Sequence, residues 1–264
     1  MLNIYRVQGK TILAVQLQYR IGMVIWMIGL ILEPVIYLVV WTTVARSTGG
    51  HVGTFSSGAF AAYFIVLMLV NHATFSWVIW GFDARIRQGV LSPMLLRPVH
   101  PFHADLCENL SFKLLMLVVM APATVLLAFA FHPVLHPPRW AILLFPVVLG
   151  LAIVMRFTLE WAIALVAFWI SRMNAMNQMY YVAVLFLSGQ VAPLSLFPGP
   201  IRTIAAALPF RWMIAFPVEL LLGRIGPQAA LTGVAIQIVW LAVAVMALKV
   251  LWRFGTARYS AVGS

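Results

Sequence analysis

Six carboxylates, six histidines and one cysteine are the acid, base and metal-ligand groups of this 264-residue chain. Their spacing supports little chemistry. His100 and His103 frame a His-Pro-Phe-His turn, and His132 and His136 a second pair. Only Asp105 and Glu108 lie near enough in sequence to help complete a ligand shell, and Pro101 and Pro133 make these histidines turn or interface residues. No metal site is expected. Cys107 stands alone, which excludes an internal disulfide framework. Gly9-Lys10-Thr11 has the ending of a phosphate-binding loop, but the position of the loop's first glycine holds Ile4, and no strand precedes it. No other stretch supplies a nucleotide site. The chain is therefore expected to carry no cofactor and not to hydrolyse ATP by itself. No serine, histidine and carboxylate set, and no paired aspartates, falls at one depth, so a catalytic residue is not expected either.

Three charged residues stand within apolar surroundings. Glu33 sits inside a long hydrophobic run, where an unpaired carboxylate costs several kcal/mol. Arg156 and Glu160 are spaced i, i+4, close enough to satisfy one another on a helix. Both a polar lining of a translocation path and a structural ion pair account for such placements. The first underlies one functional reading, an ion-coupled secondary transporter centred on Glu33, Arg156 and Glu160. That reading calls for internal repeats, and none is visible between the two halves of the chain.

The elements that must hold these residues are membrane helices. Apolar residues make up 64% of the chain and charged residues 9%, with a mean hydropathy of +1.01. Soluble domains are about 45–50% apolar and about 25% charged. The expected fold is all-α: a single polytopic membrane domain over 1–264. An amphipathic N-terminal stretch, 1–20, with Ile4, Val7, Thr11, Val15 and Gln18 along one side, reads as an interfacial helix. It shows no signal-peptide cleavage pattern. Six spans follow at 21–44, 58–80, 114–131, 141–170, 179–196 and 229–251, each near or above the roughly 20 residues needed to cross. Residues 46–55 form a short polar loop between the first two. The stretch 197–227 is apolar yet broken by Pro198, Pro200, Pro209, Pro217, Gly199 and Gly223. Its pieces, 201–208 and 214–222, are too short to cross and too apolar for a free loop, which fits re-entrant half-helices.

The net charge of +11 is not a nucleic-acid signature, because the basic residues punctuate apolar runs instead of forming a block. Arg6, Lys10, Arg20, Arg85, Arg87, Arg97, Lys113, Arg172, Lys249, Arg253 and Arg258 fall on one side of a six-span layout. Arg46, Arg139, Arg202, Arg211 and Arg224 fall on the other. The bias puts both termini, and the polar interval 81–113, in the cytoplasm. Within that interval Ile86, Val90, Leu91, Met94 and Leu95 recur at helical spacing, while Arg85, Arg87 and Gln88 lie off their face. Ser92-Pro93 predicts an N-cap and first turn, and Pro98 a stop. After Pro101 a new helix, 103–112, runs into the third span.

These features together resemble a known family. The stretch IRQGVLSPMLLRPVHPF at 86–102, with LEPVIYLVVW at 32–41, is similar to ABC-2-type permeases encoded with a companion permease and an ATPase. The likeness extends over nearly the whole chain. It implies the non-catalytic membrane subunit of an ATP-driven exporter in the bacterial cytoplasmic (inner) membrane. Two such subunits, identical or not, would pair among membrane lipids above two cytosolic ATPase subunits that bind the ATP and magnesium. It also implies that the interval carries the coupling helix, with Arg85, Arg87, Gln88, Leu91, Met94, Leu95, Arg97 and His103 as ATPase-coupling residues. The N-terminal helix would touch the ATPase, and the broken region would form re-entrant helices on the outer side. The scarcity of intramembrane charge leans toward an amphipathic or hydrophobic cargo.

Overall fold

The computed structural model describes residues 20–170 and 173–259. The amphipathic stretch before Arg20, and Arg172, lie outside the described residues. Apart from one small hairpin, the described elements are helices. Helix α1, Arg20–Ser47, ends where Gly49 and Gly50 take positive φ (83° and 96°). The short polar loop expected next is instead an antiparallel hairpin, β1 His51–Val52 and β2 Phe55–Ser56. Arg224 accounts for it. Its guanidinium lies 3.5 Å over the Phe55 ring and donates to Thr54 Oγ1 and to the Thr54 carbonyl, at 3.0 and 3.2 Å.

Helix α2, Ser57–Thr74, begins at Ser56, whose hydroxyl accepts from the Ala59 amide at 3.2 Å. It is buried on nearly every side from Phe60 to Met68, as its all-round apolar sequence requires. Phe55, Phe60, Tyr63 and Phe64 interlock at ring separations of 5.0–6.5 Å to form its packing core. Ser76 then caps α3, Val78–Arg87, by accepting from the Val78 amide. Helix α4, Leu91–Leu95, and helix α5, Pro101–Phe131, follow. Helix α5 bends by 45° between Pro101–Val118 and Met120–Phe131. Pro122 lies inside it, and a proline ring clashes with the carbonyl four residues earlier, here that of Val118.

Helix α6, Arg139–Ala164, runs on into a 3-10 turn, Leu165–Phe168. Helix α7, Asn174–Leu187, stops nine residues short of the end expected for the fifth segment. Gly189 makes the stop: it has φ +85°, and a Cβ there would meet the Tyr63 hydroxyl at 2.5 Å. After a 3-10 turn at Leu194–Leu196 come three short helices: α8 Gly199–Ala207, α9 Pro209–Met213 and α10 Ala215–Leu221. Helix α11, Pro227–Arg258, closes the chain against α6. Among the described residues Ser57–Arg87, Arg139–Phe168 and Pro227–Arg258 are long and apolar enough to cross a membrane, and the bent α5 makes a fourth if taken as one span.

Breaks in an apolar bundle expose backbone groups that hydrocarbon cannot satisfy. Side chains from neighbouring helices do so here. The Trp41 indole donates to the Val191 carbonyl and the Tyr63 hydroxyl to the Gly189 carbonyl, both at 2.8 Å. The buried Gln237 amide donates to the carbonyls of Trp212 and Val148, at 2.9 and 3.2 Å. The Trp212 indole donates to the Ala206 carbonyl at 2.9 Å.

Close packing of α11 depends on a glycine. A Cβ at Gly233 would lie 2.2 Å from the Phe216 ring, and that ring is itself buried. Gly233→Leu is expected to lower stability by about 1–3 kcal/mol, read as a lower midpoint of thermal unfolding in detergent. An unchanged midpoint would mean that α10 and α11 do not meet this way.

Candidate functional site

The polar interval is knit into the bundle by one aspartate. Arg85, on the last turn of α3, places Nη1 2.8 Å from both Asp105 oxygens. The Trp161 indole of α6 donates to Asp105 Oδ2 at 2.9 Å. Asp105 is almost fully buried and Arg85 about a quarter exposed, so the pair joins α3 to α5 and α6 at the edge of the core. Around it Phe82, Phe102 and Trp252 pack on Trp161 with centroids 5.4–5.6 Å apart. His100 caps α5: its Nδ1 accepts from the Phe102 amide at 3.2 Å, while its ring packs 4.3 Å from Trp252. Burial, then the neighbouring His103, hold His100 below the ordinary imidazole value against the opposing pull of Asp105. The neutral ring is the form whose Nδ1 can accept.

The expected coupling residues separate into two sets. Leu91 is fully buried and Arg85 is engaged with Asp105. His103 is half-buried beside His100 and Phe102, and Met94 is half-buried. Arg87, Gln88, Leu95 and Arg97 are exposed, as is Leu96, at 87%. Arg87 pairs only with Asp83, one turn away at 3.2 Å on the surface, an interaction worth a few tenths of a kcal/mol. The Ser92-Pro93 cap is not formed. Helix α4 starts two residues earlier, at Leu91 after Val90, and the Ser92 hydroxyl is 2.8 Å from that of Tyr259 instead. Gly89, at φ +70°, turns the chain between α3 and α4, so that the five-residue α4 holds Ser92 inside its first turn, where its side chain cannot cap.

Deeper in the bundle Arg156 and Glu160 meet at 2.8 Å, both buried. Arg156 also donates to Asn71 Oδ1 and to Thr74 Oγ1, each at 2.9 Å, and Tyr180 donates to Glu160 at 3.0 Å. The guanidinium lies 5.5 Å over Phe75. The cluster thus ties α6 to α2 and α7. Glu33 is not bonded into it; it accepts from Tyr181 at 3.0 Å on an exposed face of α1 and α7. Adjacent tyrosines of α7 hold the two carboxylates separately. Sequence reasoning did not single out Asn71, Thr74 or Tyr180 as partners of this pair. The signal available was their polarity within long apolar runs. Among the described residues, no three His, Cys, Asp or Glu side chains gather as a metal-binding group.

The sequence model described as "ABC-2 family transporter protein" matches residues 2–263. The chain belongs to the ABC-2 transporter family. It is a multi-pass membrane permease of an ABC transporter. No curated protein matches it. In this permease Asp105 is the residue on which the interval's position rests. Asp105→Ala is expected to cost about 1–3 kcal/mol, since it strands Arg85 and the Trp161 indole, with solvent partly screening the former. Arg85→Ala should add little once Asp105 is gone. Thermal unfolding of the two single variants and the double variant measures this coupling, and simple additivity would contradict it.

Proposed function

We propose that this permease is the membrane subunit of an ATP-driven exporter, in which residues 88–98 are the surface pressed by a cytosolic ATPase. The supporting observation is the contrast within the interval. Its inner residues are fixed by Asp105 and the Trp161 aromatic cluster, while Leu95 and Leu96 stand exposed at its tip among Arg87, Gln88 and Arg97. A small apolar tip ringed by basic and polar side chains suits a partner's cleft. Its rigid base suits the transmission of force.

The rest of the reading follows from the family and from the order of the elements. Two subunits, identical or not, pair in the bacterial cytoplasmic membrane with both termini inside. Each chain crosses six times. Helices α8–α10 form re-entrant pieces on the outer side, with their broken backbone held by Gln237 and Trp212. ATP and magnesium belong to the ATPase, whose closure shifts the spans between inward- and outward-facing packings. An amphipathic or hydrophobic cargo passes between the subunits. Because Arg156 and Glu160 satisfy one another and are braced by neutral side chains, their role is structural, and export needs no ion gradient.

Arg87→Glu combined with Leu96→Asp is expected to reduce the ATPase recovered with the affinity-purified permease from native membranes by about tenfold, some 1.4 kcal/mol. Recovery is read as ATP hydrolysis in the eluate and as an identified nucleotide-binding chain. Membrane insertion and permease yield should not change. ATPase recovery equal to that of the unaltered permease would overturn the coupling assignment.

A further inference from the structure

Between α2, α5 and α6 lies a cavity of about 450 Å³, within the size range of small-molecule sites. Its wall is hydrocarbon except where His72 of α2 and Lys113 of α5 contribute. These two mark one end. From the level of Lys113 and Ile153 the cavity runs some two helical turns, past Leu114 to Leu117 and Phe145, about 10 Å at 1.5 Å per residue. Leu114 and Leu117 are themselves 64% and 47% exposed, so the cavity opens sideways through α5 to whatever surrounds the bundle. For a membrane permease that is lipid.

The polar end is electrically incomplete. Lys113 is 6% exposed, and its Nζ is buried without a hydrogen-bond partner. The buried His72 ring has no side-chain partner; its polar neighbour is the backbone of Lys113. The charges nearest Lys113 are Arg156 and Glu160, and these two pair with each other at 2.8 Å. Among the described residues no carboxylate forms an ion pair with Lys113. When Lys113 is protonated, two cations share one anion, and a positive charge is left over in low-dielectric surroundings, where an unpaired ion costs several kcal/mol. An anion arriving from the lipid side would balance it.

We propose that this cavity binds an anionic phospholipid of the surrounding bilayer, with its phosphate held by Lys113 and His72 and one acyl chain lying along Leu114 and Leu117. Lys113 stands at the boundary between the polar interval and the third apolar segment, the depth of a lipid headgroup. A basic pocket between membrane helices at that depth is the established chemistry of anionic-lipid recognition. The four-carbon stem of Lys113 can deliver its ammonium to the mouth of the cavity while staying in apolar contact. A zwitterionic lipid carries its own cation to the site and leaves the excess charge in place. The proposal requires only that the bundle lie in a membrane; it does not depend on the ATPase contact above.

The test uses the full chain in nanodiscs containing phosphatidylglycerol with a diazirine in one acyl chain, or phosphatidylcholine with the same label. After irradiation, labelled peptides are mapped. Phosphatidylglycerol is expected to mark 110–117 and 145–153 about tenfold more than phosphatidylcholine, the size of one charge-assisted hydrogen bond. Lys113→Met should erase that preference and Lys113→Arg should keep it, a rescue that a purely structural lysine would not produce. Equal labelling by the two lipids in the unaltered chain would overturn the proposal without reference to any variant. A preference that survives Lys113→Met, or a cavity left unlabelled by both lipids because a second copy of the chain covers it, would overturn it as well.

Discussion

A polypeptide in hydrocarbon has no water to complete its backbone, and this constraint shapes the bundle more than any single contact. Where helices run whole, it is met within the helix. Where they break, at 188–193 and between α8 and α10, neighbouring helices supply the missing donors. Trp41 of α1 and Tyr63 of α2 reach the carbonyls after α7, and Gln237 of α11 reaches the carbonyl that ends α9. Each of these donors spends an otherwise costly polar atom on a group that would be orphaned. The breaks and the large aromatic side chains of α1 and α2 therefore belong together. Removing either alone leaves the other unsatisfied.

The charged residues obey the same rule at higher stakes. Arg156 is the most deeply committed, with donors to Glu160, Asn71 and Thr74 in a buried setting. Such a network does not by itself argue for stability, because desolvation offsets much of the attraction. It does fix register, since α2, α6 and α7 make these bonds only in one relative placement. Lys113 differs: its buried ammonium group has no ion-pair or hydrogen-bond partner among the described residues, and this is what distinguishes its cavity from an ordinary packing fault.

Much of this was legible in the sequence. Composition excluded a soluble domain, and the proline and glycine pattern of 197–227 anticipated short helices where α8, α9 and α10 occur. The pairing of Arg156 with Glu160 followed from their spacing alone. What spacing does not carry is the partner supplied by a distant element. Arg85 looked like surface charge, because nothing local announced Asp105 twenty residues on or the Trp161 indole behind it. Ser92 looked like a cap, because its distant hydroxyl partner, Tyr259, is at the other end of the chain. The stop at Leu187 depended on Tyr63 crowding Gly189, again a contact between remote segments. Local pattern fixes which residues are helical; long-range hydrogen bonds decide where the helices end and which charges face inward.

Those long-range bonds converge on one turn of α6. Arg156 and Glu160 hold α2 and α7 through Asn71, Thr74 and Tyr180, and the next residue, Trp161, holds Asp105 and with it Arg85. Helix α7 in turn bonds Glu33 of α1 through Tyr181. The interval is thus tied to α6 through Asp105 and to α11 through His100, and α6 cannot slide past α2 or α7 without stranding a buried charge. Packed interfaces of this kind respond by moving as blocks, not by yielding continuously. The softer boundary is the face of α1 and α7 where Glu33 and Tyr181 meet, because their bond is exposed and has a single partner on each side.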